Sequence, residues 1–307
     1  MIEGKSIKVK YKLNGKDFLA LKGTDITVGK GEVVGLAGES GSGKTTLGRA
    51  ILALQKFEGE VLWNGKNVLK LKGDERREFR KKNQIVYQDP FDAVDIRMKV
   101  FDVIAEGLKI NHMGSREEIR EKVLASLKTV GLNPPETFAN VYPTQLSGGQ
   151  LQRVAIARAT VMEPEFIVAD EPVSMLDMSI RAGILEIFNE LKAKGTSTLM
   201  ITHDLSTVAY VSDRIYVLYQ GKMVESGLTS QIVENPKHPY TQALISSIPV
   251  PEPGFRVEAK LKDEDSPPPP RGCPLYPRCP FRMDKCKDND PELVEVEPGH
   301  RVACYLY

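Results

Sequence analysis

The sequence contains no stretch approaching the roughly twenty consecutive apolar residues that a membrane-spanning helix requires, and its opening residues are charged rather than a secretion-signal core. The expectation is a chain that stays in the cytoplasm. It also lacks an excess of either charge: 42 Lys and Arg stand against 41 Asp and Glu. That balance removes the electrostatic signature of a nucleic-acid-binding or bilayer-binding protein. Cysteine is missing from all but the end of the chain, so no cysteine framework serves the whole fold. The four that occur, Cys273, Cys279, Cys286 and Cys304, call for a local explanation. No internal repeat is found. What is present is 307 residues, 41% hydrophobic and 27% charged, enough for one large domain with an appendage or two modest ones.

Residues 1–30 alternate apolar and polar, as in Ile7, Val9 and Tyr11 and then Phe18 to Leu21, with Gly15 and Gly23 as breakers, which predicts antiparallel strands with a turn at 14–15. Residues 32–37 form a short apolar run that feeds a glycine cluster and then a helical stretch, 45–54. Further buried strands are predicted at 84–88, 165–170, 198–202 and 214–218, mostly separated by helical patterns. Such alternation predicts an α/β fold with a mainly parallel core sheet. Between about 90 and 163 the pattern is helical, with Ser115 capping a helix that runs to Thr129, and reads as an inserted helical subdomain. Composition breaks at 249–254 and 266–270, both proline-rich, so the cysteine segment is expected to be an appendage on a stiff linker.

The residues from Gly38 to Thr45 match G-x-x-x-x-G-K-[ST] between a predicted strand and a predicted helix. In that context Gly38, Ser40, Gly41, Ser42 and Gly43 let backbone N–H groups curl around phosphate oxygens. Lys44 reaches the β and γ phosphates, Thr45 offers a hydroxyl to Mg²⁺, and Thr46 continues the helix start. A lysine in a glycine-rich turn is the bland alternative. The apolar strand at 166–170 delivers two carboxylates at its C-terminal end: Asp170 suits Mg²⁺, and Glu171 is placed to polarise a water for in-line attack. Ser147, Gly148, Gly149 and Gln150 open a further helix, a second anion-binding N-terminus in the same chain.

On these motifs the chain resembles the ABC ATPases. The resemblance implies that the segment at Ser147–Gln150 closes on ATP held by the phosphate loop of a paired subunit. It also assigns Gln88 to Mg²⁺, the attacking water and communication with membrane subunits, Asp177 to the dimer contact, and His203 to the γ-phosphate. Met175 stands where the family usually has alanine. Tyr11, in preference to Phe18, falls where the family stacks an aromatic ring on adenine.

Residues 235–249 resemble the segment following the ATPase core in bacterial dipeptide and oligopeptide importers, with a lean toward the second of their two paired ATPases. This implies an ABC ATPase domain over 1–230 and an importer-type extension over 231–307. It further implies two transmembrane permease subunits, an extracytoplasmic peptide-binding protein reached indirectly, and residence on the cytoplasmic face of the membrane. A soluble ABC ATPase acting on nucleic acid or ribosomes is the competing reading, and an electron-transfer protein with a nucleotide site a third. The cysteine spacing, x5, x6 and x17, contains no close pair of the zinc type. Four thiolates at wider intervals suit a [4Fe–4S] cluster. Zinc held by Cys₄, or by three cysteines with His300, remains open, as do free thiols or disulfides.

Overall fold

The computed structural model describes residues 1–13, 15–247, 261–262, 266–269 and 271–307. Asn14 of the expected turn, the composition break at 249–254 and Pro270 at the end of the proline run lie outside the described residues. The chain forms two compact units, one of Ile2–Thr27, Val34–Leu62 and Thr202–Tyr307, the other of Val28–Val33 and Trp63–Ile201 with Met1.

In the first unit, the strand Val33–Ala37 runs parallel to Arg214–Tyr219, with Val34 opposite Arg214 and Ala37 opposite Val217. All five of its residues are buried, as expected of a strand covered on both faces. Arg214–Tyr219 then turns into the antiparallel strand Lys222–Leu228 through Gln220 and Gly221, whose φ values of 44° and 79° give the left-handed turn that suits strand twist. Ile2–Leu13 lies between Lys16–Val28 and Glu58–Trp63 in a separate sheet.

The end of the chain departs from the expectation of an appendage held at a distance. His300–Val302 pairs antiparallel with Lys222–Leu228, placing Val302 opposite Glu225, and Val294–Glu297 pairs with it in turn. The tail therefore extends the sheet of the unit that holds the phosphate loop. Its register is fixed by buried polar chemistry. The Glu225 carboxylate, fully buried, accepts from the backbone N–H of Lys237 at 2.7 Å and of His238 at 2.9 Å, and meets His300 Nε2 at 2.7 Å. A buried carboxylate without such partners would cost several kcal/mol.

In the second unit, Asn83–Val86, Phe166–Asp170 and Ser197–Thr202 pair in parallel in that order. The predicted strand at 84–88 stops at Val86, which leaves Gln88 on the loop beyond it. Between the first two strands come the helices Val100–Ile110, Arg116–Thr129, Pro135–Ala139 and Gly148–Thr160. Val100, Val103, Ile104 and Leu108 are buried at helical spacing, and their helix packs against Gly148–Thr160. Ser115 caps Arg116–Thr129 as expected. Its N–H donates to Glu118 Oε2 at 2.6 Å and its Oγ accepts from the Glu118 N–H at 3.3 Å, a reciprocal cap that contributes about 1 kcal/mol. Among the described residues no helix is long and apolar enough to cross a membrane.

Candidate functional site

The phosphate loop leaves the buried strand Val33–Ala37 and enters the helix Lys44–Ile51 through three glycines with positive φ: Gly38 at 154°, Gly41 at 77° and Gly43 at 105°. Gly38 is irreplaceable on steric grounds, because a Cβ there would meet the Leu218 carbonyl at 2.1 Å. Gly43 occupies the N-cap in a left-handed conformation, and no side chain caps that helix. A helix start of this kind suits an anion. Lys44 is 5% exposed and its Nζ donates to the carbonyls of Gly38 at 2.7 Å and Glu39 at 2.9 Å, so the ammonium is held inside the loop's own curl. Ser42 Oγ is buried without a hydrogen-bond partner, and it faces the Gly38 Cα at the throat of this curl. A concave run of donors with an orphaned hydroxyl suits phosphate oxygens.

Tyr11 stands beside the same helix. Its hydroxyl donates to Gln55 Oε1 at 2.8 Å and lies 3.4 Å from Thr46 Oγ1, while the ring is half exposed. His203 is exposed, one residue past the strand Ser197–Thr202.

In the other unit, Asp170 ends its strand at 3% exposure. Glu171 follows with φ 46°, a left-handed conformation that costs a non-glycine residue about 1–2 kcal/mol. Its backbone is over-determined: the Glu171 N–H donates to the Ile201 carbonyl at 2.8 Å, and its carbonyl accepts from Ser174 Oγ at 3.1 Å. The twist turns the second carboxylate out of the strand register, where Gln88 Nε2 donates to Glu171 Oε2 at 3.3 Å. Gln88 and Glu171, far apart in sequence, are thus brought together. Ser147 N-caps the helix Gly148–Thr160 in a reciprocal box: the Ser147 N–H donates to Gln150 Oε1 at 3.0 Å and the Gln150 N–H donates to Ser147 Oγ at 3.4 Å. Ser147 and Gly148 are exposed, as is Asp177. Met175 is 65% exposed and Met178 83%, so the methionine that departs from the family pattern is largely open to solvent in this structure.

The four cysteines line one small cavity together with His238, Leu275, Tyr276 and Phe281. Burial pushes the Cys273 thiol up to about 12 and raises Cys279 and Cys304, and the proximity of the other thiols adds to each shift. Among the described residues, no three His, Cys, Asp or Glu side chains are gathered as a single metal ion requires. His300 is not among the residues that line this cavity, and its Nε2 is bound to the buried Glu225.

Sequence reading missed the groups that grip the phosphate loop from the tail. The Glu39 N–H donates to the Tyr240 hydroxyl at 2.7 Å, and Arg278 Nη1 donates to both Glu39 carboxylate oxygens, at 3.2 and 3.1 Å. These partners are some two hundred residues apart, and no short-range pattern could have paired them.

Two family models match this chain: ABC transporter over residues 21–174, and oligopeptide/dipeptide transporter, C-terminal region, over residues 224–286. A putative peptide import ATP-binding protein of Brucella ovis is 42% identical over 299 residues, spanning 96% of this chain and 94% of that protein. The oligopeptide transport ATP-binding protein OppF of Bacillus subtilis is 45% identical over 281 residues, spanning 90% and 86%. A dimeric bacterial ABC transporter cassette, MJ0796, matches with TM-score 0.68 and 33% identity, covering 75% of this chain and 99% of that one, and so does the same cassette bound to ADP and Pi. The chain belongs to the ABC transporter ATP-binding proteins and is an ATPase. Within them, it is a member of the peptide and oligopeptide import ATP-binding group, whose C-terminal region it carries.

Proposed function

We propose that this ATPase powers uptake of di- and oligopeptides through two transmembrane permease subunits. It would lie on the cytoplasmic face of the membrane as one of a pair of ATP-binding subunits, of the second type, with an extracytoplasmic peptide-binding protein supplying the cargo. The observation that carries the reading is the joining of a complete nucleotide constellation to the 224–286 region in one chain. A domain boundary near 230 fits that pair of matches, with the extension from 231 onward.

In this reading the loop from Gly38 to Thr46 wraps the phosphates, Lys44 supplies the fixed charge, and Tyr11 stacks on adenine. Thr45, Asp170 and Gln88 are hard oxygen donors of the kind Mg²⁺ takes, and the ion neutralises charge on the phosphate oxygens when bound. Glu171 polarises the attacking water, Gln88 orients it, and His203 contacts the γ-phosphate. Ser147, Gly148, Gly149 and Gln150 close on ATP held by the paired subunit, with Asp177 at the contact between the two. The exposure of Ser147, Gly148, Met175 and Met178 supports a surface that another subunit covers.

The four thiols around one cavity fit a [4Fe–4S] cluster by their chemistry: four soft donors with no competing carboxylate among the lining residues. A single zinc ion is the alternative. Such a group would tie four separate points of the tail together.

The test is reconstitution with the permease subunits in liposomes. Hydrolysis stimulated by peptide and binding protein is expected. Glu171→Gln should retain ATP binding while hydrolysis falls by at least about a thousandfold. Wild-type turnover in that variant, or stimulation by nucleic acid or ribosomes in place of peptide, would refute the reading.

A further inference from the structure

The tail does more than extend a sheet. Glu39 is the first residue after Gly38, and three of its groups are held at once. Its carbonyl accepts from Lys44 Nζ at 2.9 Å and from the Ser42 N–H at 3.2 Å, both within the loop. Its N–H donates to the Tyr240 hydroxyl, and its carboxylate accepts from Arg278. Tyr240 is fully buried and its ring lies 4.5 Å, centroid to centroid, from that of Tyr219, whose hydroxyl is 3.4 Å from Arg278 Nη1. Two buried aromatic rings and a guanidinium therefore fix the outer limb of the phosphate loop. Each of these three residues comes from beyond the loop's own motif, and two lie in the extension.

Arg278 is also the residue before Cys279. Its carbonyl accepts from the Lys262 N–H at 2.8 Å, the Cys279 N–H donates to the Leu275 carbonyl at 2.8 Å, and the Cys273 N–H donates to the Cys286 carbonyl at 2.8 Å. The backbone that carries the guanidinium is thus the backbone that carries a wall of the thiol cavity. A change in how the four sulfurs are held, whether by a metal group, by alkylation or by oxidation, bears directly on the turn at 275–279, which carries the guanidinium.

We propose that Arg278 is a positioning residue for nucleotide binding and the link through which the state of the four cysteines sets the affinity of the phosphate loop. The proposal rests on reading that loop as the ATP site. Arg278 touches no phosphate in this account; it holds Glu39, and Glu39 holds the ammonium of Lys44 and the turn at Ser42. The ion pair is partly exposed, with side chains 35% and 43% accessible, so its effect is modest. A pair of hydrogen bonds to a carboxylate whose backbone is itself anchored is still worth about two- to fivefold in affinity.

The experiment measures binding of a fluorescent ATP analogue with Mg²⁺ to the full chain, before and after alkylation of the thiols. Arg278→Ala is expected to raise the Kd about two- to fivefold, Arg278→Lys to recover part of that, and Glu39→Gln to match the alanine variant with no further loss in the double variant. Alkylation should weaken binding in the wild type and leave Arg278→Ala unchanged, while thermal unfolding shows whether each variant is folded. Additive losses, or an equal response to alkylation with and without Arg278, would overturn the link. If the wild type binds the analogue and Lys44→Ala does not, an unchanged Kd in the folded Arg278→Ala and Glu39→Gln variants overturns this proposal alone. If the wild type does not bind it at all, the nucleotide reading falls as well.

Discussion

Two helix starts, at Lys44–Ile51 and at Gly148–Thr160, are built in opposite ways. At Lys44–Ile51 the N-cap is Gly43, left-handed, with no capping side chain, in a loop whose lysine is buried. At Gly148–Thr160 the N-cap is Ser147, its box with Gln150 is closed, and Ser147 and Gly148 are exposed. An uncapped start inside a curl of donors is a site for an anion held by its own unit. A start already satisfied by its own side chains contributes by what it presents outward. One chain can then hold a phosphate at the first and offer the second to another molecule, which removes the redundancy of two phosphate grips in one monomer.

The largest expected effect separates the units that carry the two starts. His300→Ala leaves the buried Glu225 carboxylate short of a partner in the unit of the phosphate loop, and should cost about 3–5 kcal/mol. Hydrogen exchange should accelerate in the strands Lys222–Leu228 and Val33–Ala37 and leave the helix Gly148–Thr160 protected; uniform loss across both would break the distinction. Next come the starts themselves. Lys44→Ala should weaken ATP binding to the isolated chain by about tenfold or more, whereas Ser147→Ala should leave that affinity within about twofold yet lower hydrolysis in the assembled transporter about a hundredfold. Equal effects of the two on isolated-chain affinity would erase the contrast.

The smallest effect is a pH dependence. Burial holds His238 neutral, lowering its imidazole to about 4 from 6.5. Between those values the unfolded chain takes up a proton that the folded unit refuses, so stability is full above pH 6.5 and declines toward pH 4. The slope is at most about 1.4 kcal/mol per pH unit. Urea unfolding at pH 7 and pH 5.5 reads it, and His238→Asn, which keeps a side-chain acceptor for the Tyr240 N–H, should flatten it.

The ATPase family was legible because each of its motifs is local. A glycine loop between strand and helix, two carboxylates after an apolar strand and a Ser-Gly-Gly helix start are each set within a few residues. The parallel strands were legible because buried strands read as continuous apolar runs. The tail was not, although Val294-Glu-Val-Glu297 alternates and is followed by Pro298-Gly299, a hairpin signal that the cysteine spacing overshadowed. The left-handed Glu171, the Glu225 cluster and the hold of Arg278 and Tyr240 on Glu39 depend on partners far along the chain. No residue pattern encodes them.

The account turns on the two helix starts acting on one ATP from two chains. Its most direct test places cysteine at Ser40 in one subunit and at Ser147 in its pair, in the assembled transporter with ATP and Glu171→Gln to stall hydrolysis. A short bifunctional maleimide follows, and mass spectrometry identifies the linked peptides. The account predicts a link between residue 40 of one polypeptide and residue 147 of the other that appears with ATP and is lost without it. A link confined to a single chain, or one indifferent to ATP, would contradict it.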